Sequence, residues 1–287
     1  MGYEDLTPPN EQPKVESGKL EIEGENRLNY LAKERKNHAD ITPAFRILGE
    51  IEKKLPDGFE FSRIDGAKFN LPVINLDDIS YEMHIQGNNI FVFGYMESYG
   101  KNFKVFEATF SKDDNLQEKV NNEQIDYKEI ISEGEEMRKV LPQEGDLVMI
   151  DKICHLDENK VVATRKVNDL DFEGDGQFNK FRLIEMVGQA GSYYLLSKIN
   201  AGEKRKKIAA YKNMSVRFYV EADDVEKNDE LVIEIIQKNE DKKDNKAHGE
   251  VQKKDGTIIF ECDFCYDKLR RVELFRGFAR KAQEIKV

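Results

Sequence analysis

Glu185 and Gln189 stand one helical turn apart in FRLIEMVGQAGSYYLLSKI (181–199), a strongly apolar stretch with helical spacing. An unpaired carboxylate is costly to bury among such neighbours, so Glu185 is expected to be hydrogen-bonded or to do chemistry. Gln189, on the same helix face, is placed to hold it. A carboxyl group in this setting can give or take a proton, and an acid–base pair would need a second group that titrates near neutrality. An imidazole fits that need. The chain has four histidines: His38 ends the charged run LAKERKNHAD, His84 and His155 lie in strand-like segments, and His248 stands near a charged turn. The last three have no partners at a useful sequence spacing and read as surface or satisfied core positions. His38 reads either as a solvated residue of its charged run or as a base. Asp171 reads as a loop carboxylate, a poor base when exposed, but able to share a proton with Glu185 if the two are buried together.

Other chemistries find little support. Cys262 and Cys265 have CxxC spacing within TIIFECDFCYDKL, a strand-like run in which residues three apart face opposite sides of a sheet. With Cys154 as the only other cysteine and no histidine beside the pair, neither a metal site nor a redox pair is expected. The sequence carries no phosphate-binding GxxxxGK[ST] loop, GxGxxG fingerprint, GxSxG elbow or HExxH pair, so no cofactor and no metal are expected. A net charge of -11 argues against a general nucleic-acid binder. No run approaches the roughly 20 apolar residues of a membrane span. The start, MGYEDLTPPNEQPKVESG, lacks a secretory pattern, and a cytoplasmic protein is expected.

The elements that must position Glu185 and its partners follow from periodicity. Residues 1–17 read as a flexible tail, and 113–125, overlapping the polar stretch SKDDNLQEKVNNEQ that starts at Ser111, as a linker. Between them, ITPAFRILGEIEKKL predicts a helix with Phe45, Ile47, Leu48 and Ile51 on one side and Pro43 in its first turn. Strands follow at FSRIDGAKFNLPVINL, ISYEMHIQ, NIFVFGYMES and FKVFEATFS. Residues 126–287 repeat the plan. A lead-in helix is expected at YKEIISEGEEMRKVL, then strands, then the 181–199 helix, in which Gly188 and Gly191 permit a close approach to a sheet. Strands at AAYKNMSVRFYVEA, DELVIEIIQ, AHGEVQK and TIIFECDFCYD come next, and LRRVELFRGFARKAQEI is expected as a basic terminal helix. Lys68-Phe69 and Arg217-Phe218 occupy matching places in the two halves, each followed by a Val-containing strand, an acidic turn and an alternating strand. This self-similarity implies duplication. The fold class is α+β: two copies (18–112 and 126–287) of a helix followed by long antiparallel strands that wrap it.

LPQEGDLVMIDKI (141–153) resembles the Leu-Pro-His-x-x-Pro-hydrophobic-Leu-Asp-Arg segment that opens the hot-dog 3-hydroxyacyl-(acyl carrier protein) dehydratases. IEMVGQAG (184–191) resembles their Ile-Glu-x-x-Ala-Gln-Ala central helix. The likeness extends to the paired dehydratases of aryl polyene synthesis, and covers about 250 residues if the first half is the second copy. It implies a double hot dog that removes water from a 3-hydroxyacyl thioester carried on acyl carrier protein or coenzyme A, in fatty acid, polyene or polyketide assembly. In that family a His-Phe-Pro-Gly loop of one hot dog faces a Glu or Asp on the helix of the other. Glu185 takes the place of the helix carboxylate and Gln189 that of the following Gln. Asp171-Phe172-Glu173-Gly174 stands where His-Phe-Pro-Gly belongs, so the second copy lacks the imidazole. In the first copy Gly49 replaces the carboxylate, with Glu50 adjacent, and His38 precedes the helix without Phe-Pro-Gly after it. The resemblance therefore implies one site, with His38 as base, Glu185 as acid, Gln189 as orienting group and backbone amides at the start of the 181–199 helix as donors to the thioester carbonyl.

Two other readings stand beside it. A non-catalytic pseudo-dehydratase would bind acyl chains, carrier protein or a partner subunit. A thioesterase would use Glu185 or Asp171 to activate water. A monomer containing an internal pseudo-dimer and a homodimer of such units are both compatible with the sequence. The basic terminal segment could attract an acidic carrier protein or could simply face solvent.

Overall fold

The computed structural model describes residues 14–20, 44–70, 79–98, 101–112, 119–121, 125, 127, 129–141, 148–173, 176–198, 207–219, 224–238 and 245–270. In the N-terminal half, β1 (Lys14–Lys19) and α1 (Ala44–Glu52) precede β2 (Arg63–Phe69), β3 (Ile79–Gln86), β4 (Asn89–Ser98) and β5 (Lys101–Ser111). β6 (Lys119–Val120), β7 (Ser132–Glu133), α2 (Gly134–Arg138), β8 (Lys152–Leu156) and β9 (Lys160–Lys166) lead to α3 (Arg182–Ser197). β10 (Lys207–Phe218), β11 (Glu230–Gln237), β12 (Asn245–Lys253) and β13 (Thr257–Arg270) complete the set. No helix among the described residues is long and apolar enough to cross a membrane.

Among the described residues thirteen strands join one antiparallel sheet in the order β1-β3-β4-β5-β2-β10-β13-β12-β11-β9-β8-β7, with β6 on β13. The order is close to a palindrome. After α1 the strands run β2 to β5 and lie as β3-β4-β5-β2; after α3 they run β10 to β13 and lie as β11-β12-β13-β10. The halves meet where the first strand after each helix pairs with its counterpart, Lys68 opposite Asn213 and Arg63 opposite Arg217. These strands carry the Lys68-Phe69 and Arg217-Phe218 pairs that match between halves.

Side chains from both halves close this seam. The Phe61 ring lies 5.0 Å from Phe110, 6.0 Å from Phe181 and 6.1 Å from Phe218. Phe218 in turn lies 5.3 Å from Phe260, and Lys180 sets its ammonium 4.0 Å above the Phe61 ring centre. Offset and edge-on ring pairs add to plain burial, and here they weld the two copies into one core.

α3 is buried on nearly every side and lies across β9 to β13. Glycines set the approach, as the spacing of Gly188 and Gly191 anticipates. A Cβ on Gly188 would meet the Tyr211 hydroxyl at 2.6 Å, and one on Gly191 would touch the Phe264 ring at 3.4 Å. On the sheet side, a Cβ on Gly249 of β12 would fall 2.5 Å from Val187 Cγ1 and 3.0 Å from Ile235 Cδ1. Gly249→Ala is therefore expected to cost about 1–3 kcal/mol by overpacking, visible as a lower urea midpoint with the slope unchanged.

Four expectations are corrected. β1 begins at Lys14, inside the segment read as a tail. Its polar residues carry no strand alternation, and backbone pairing with β3 (Lys14 to Ile85) decides its conformation. β6 lies inside the expected linker and pairs with β13. The expected lead-in helix shrinks to α2, because Gly134 adopts φ 54° and Ile131 donates to the Ile153 carbonyl instead. β13 runs to Arg270, so Leu269 and Arg270 are strand residues; the rest of the expected terminal helix lies outside the described residues. Cys154 and Cys262 are buried thiols outside any disulfide. Cys262 alternates inward with Phe260 and Phe264, opposite in phase to Cys265.

Candidate active site

The entry to α3 is built by a short ordered loop. Asp169–Asp171 form a 3-10 turn capped by Asn168, whose side chain accepts from Leu170 N. Phe172 bridges Phe178, and Asn179 Oδ1 accepts from Phe181 N at 3.0 Å. The helix then starts through tight turns: Arg182 N donates to Asn179 O, Leu183 N to Lys180 O and Ile184 N to Phe181 O. These bonds overturn one expectation. The amides of Phe181 to Ile184 are already engaged within the turn, so they are not waiting as donors to a substrate carbonyl.

Glu185, in the first turn of α3, is partly buried. Gln189, fully buried, donates from Nε2 to Glu185 Oε1 at 3.0 Å and accepts at Oε1 from Met149 N at 2.8 Å. The backbone N–H of Met149 can only donate, so it settles which end of the amide faces it and turns the NH2 group toward Glu185. The two segments that carry the family resemblance thus meet at this relay. Tyr211 flanks it, packed on Gly188 and donating to the Ile184 carbonyl at 2.7 Å. Burial first, then Cys262 and Glu185, push the Tyr211 hydroxyl well above its ordinary value, so it stays a neutral donor. Nothing in the local sequence marks Met149, whose contribution is a backbone amide. Tyr211 carried only the signal of a polar ring in a strand facing an apolar helix.

Gln189→Leu would leave the Met149 N–H buried without an acceptor. The expected loss is about 1–3 kcal/mol, measurable by urea unfolding, together with a loosened Glu185.

Asp171 takes a different part from the one considered for it. Its side chain is fully buried, and the Arg165 guanidinium grips it bidentately, Nη2 to Oδ1 and Nε to Oδ2, each at 3.1 Å. Asn168 N at 2.9 Å and Arg182 Nη1 at 3.4 Å complete its surroundings. Arg165 also reaches Asp151 Oδ1 at 3.0 Å. A carboxylate so enclosed by cations anchors the loop. Among the described residues its hydrogen bonds come from guanidinium and amide groups, and none joins it to Glu185.

In the N-terminal half, Gly49 comes against Phe181, whose ring carbon would lie 3.6 Å from an added Cβ. α1 therefore touches the start of α3, and the two helices meet across the seam. Glu50 is held by Lys53 at 3.0 Å. His38 lies outside the described residues. His155 pairs with Asp157 at 2.8 Å on the surface, and His84 stacks edge-on against Phe93.

No family model matches the sequence, and no curated protein matches it. Solved structures do match. The dehydratase domain from the CurJ module of curacin polyketide synthase superposes with a TM-score of 0.63 at 12% identity, over 89% of this chain and 91% of that one. An N-terminal dehydratase from the difficidin assembly line gives 0.63 at 13% identity over 94% and 98%. The chain has the double hot-dog fold of these dehydratase domains. A third double hot dog, the dehydratase domain of a mycocerosic acid synthase-like polyketide synthase, gives 0.62 at 12% identity over 90% and 92%. The CurJ dehydratase has also been solved as an inactive histidine-to-phenylalanine mutant, with a TM-score of 0.61 and 16% identity over 82% and 85%.

Proposed function

We propose that this double hot dog is a dehydratase that removes water from a 3-hydroxyacyl thioester delivered by acyl carrier protein or coenzyme A. The observation that carries the reading is the relay Met149 N–H to Gln189 to Glu185 on the α3 helix, in a fold shared with polyketide synthase dehydratase domains. In this reading each copy is a sheet curved around its helix, and one site lies between them. His38, from the chain before α1, takes the α-proton. Glu185 gives its proton to the 3-hydroxyl as the C–O bond breaks, so water leaves and the enoyl double bond forms. The imidazolium then returns the proton to the Glu185 carboxylate through solvent, restoring both groups. Gln189 orients Glu185. The Asp171–Arg165 pair, standing where the second copy would need its histidine, supports a single site rather than two. Because the halves pair within one chain at β2 and β10, a monomer suffices. Cys154 and Cys262, buried and outside any disulfide, suit a reducing, cytoplasmic setting.

Purified protein with 3-hydroxyacyl pantetheine thioesters should give enoyl thioester, and both His38→Ala and Glu185→Gln should slow its formation by about 10²-fold or more. Release of free acid would replace this reading with a thioesterase. Absent turnover with acyl-carrier binding retained would replace it with a non-catalytic binder.

A further inference from the structure

The outer face of the C-terminal sheet carries an arrangement that the reaction does not use. On β12, Ala247 and Val251 are buried and Gly249 abuts Val187 of α3. His248 and Glu250 therefore project from the opposite face. The register sets His248 opposite Asp263 and Glu250 opposite Glu261 on β13, and Glu234 of β11 opposite Glu250. Three carboxylates thus run across three neighbouring strands, with side-chain exposures of 13%, 12% and 12% for Glu234, Glu250 and Glu261. Like charges directly opposite one another destabilise a sheet, so the row requires cations. Lys160 meets Glu234. Lys119, from β6, meets Glu261 and stands 4.0 Å from Glu250. Even so, Glu250 Oε1 is buried with no hydrogen-bond partner.

We propose that His248, Glu250 and Glu261 form a binding site for a divalent transition metal of the zinc type, which replaces the Lys119 ammonium. One donor atom from each residue lies within 4.8 Å of the other two. A tetrahedral ion with bonds of about 2.0–2.1 Å holds its ligands roughly 3.4 Å apart, within reach by side-chain rotation alone. One imidazole and two carboxylates suit zinc better than magnesium or calcium, which prefer all-oxygen shells. Asp263 supplies the outer partner. Its Oδ1 lies 3.0 Å from His248 Nδ1, and a carboxylate accepting from that N–H leaves Nε2 unprotonated, the tautomer that binds metals. Bound there, the ion would tie β12 to β13 and leave one position for water.

The test is calorimetric titration of the untagged full chain, freed of metal by a chelator, with ZnCl2. One equivalent should bind saturably, and His248→Ala and Glu250→Gln should each abolish that step. Asp263→Asn, which preserves side-chain shape, should weaken it about 10–100-fold at the same stoichiometry. Lys119→Met removes the competing ammonium and should tighten binding. Circular dichroism confirms that each variant is folded. Absence of a one-to-one step in the wild type, its survival in folded His248→Ala, or unchanged affinity in Asp263→Asn would overturn the site. Unchanged or weaker affinity in Lys119→Met would overturn the exchange of ammonium for metal.

Discussion

Glu185→Gln is expected to slow enoyl thioester formation by about 10²–10⁴-fold, the usual contribution of a positioned general acid, with little change in thermal midpoint. The substitution replaces a group that can deliver a proton with one that cannot, at nearly constant shape. The amide oxygen can still accept from Gln189 Nε2, so the bond now made at 3.0 Å survives and the helix packing is undisturbed. A loss confined to turnover, with substrate affinity retained, would place Glu185 among the reacting atoms. A rate within threefold of wild type would remove it from the chemistry. Gln189→Leu is the informative companion. It keeps the carboxyl group but frees it from the Met149 anchor, so rate should fall less than in Glu185→Gln while stability falls more.

Arg165→Met should produce the largest loss of stability, about 3–5 kcal/mol, because it leaves a carboxylate buried without its main counter-ion. Asp171 has no solvent exposure, and the Arg165 side chain is only 5% exposed. Arg182 at 3.4 Å and Asn168 N at 2.9 Å soften the loss without replacing the bidentate grip. The double variant Arg165→Met, Asp171→Leu removes both charges and should be more stable than Arg165→Met alone, a coupling that a double-mutant cycle by urea unfolding measures directly. A cost below about 1 kcal/mol for Arg165→Met, the scale of a surface pair, would show that the loop before α3 is not held by this interaction. Since the same loop sets the entry of the helix that carries Glu185, the folded Arg165→Met protein should also lose activity.

Much of this architecture is written in local pattern. The apolar spacing of Phe45, Ile47, Leu48 and Ile51 gives α1, and period-two alternation gives β3, β4, β11 and β13 nearly to their ends. The matched Lys68-Phe69 and Arg217-Phe218 strands announce a duplication, and a carboxylate at 185 amid apolar neighbours, with Gln189 one turn on, already announces a held group. Such features depend on residues close in sequence, where the periods of helix and strand dictate which side chains share a face.

What the sequence left open depends on contacts between distant segments. The amide that orients Gln189 belongs to the backbone of Met149, forty residues away, and a backbone amide is present at nearly every position. Asp171 could be a base, a proton-sharing partner or an anchor until folding set it against Arg165. The helix amides expected to bind a carbonyl are consumed by a tight entry turn that side-chain types do not specify. β1 has no alternation to betray it and is defined by the edge it completes. His248, Glu250 and Glu261 look unrelated in sequence, and only the β12–β13 register puts them on one face. The chain by itself determined its periods, its repeat and its helix carboxylate; tertiary structure decided the partners, because hydrogen bonds, ion pairs and strand register act through space between residues whose sequence separation carries no signal.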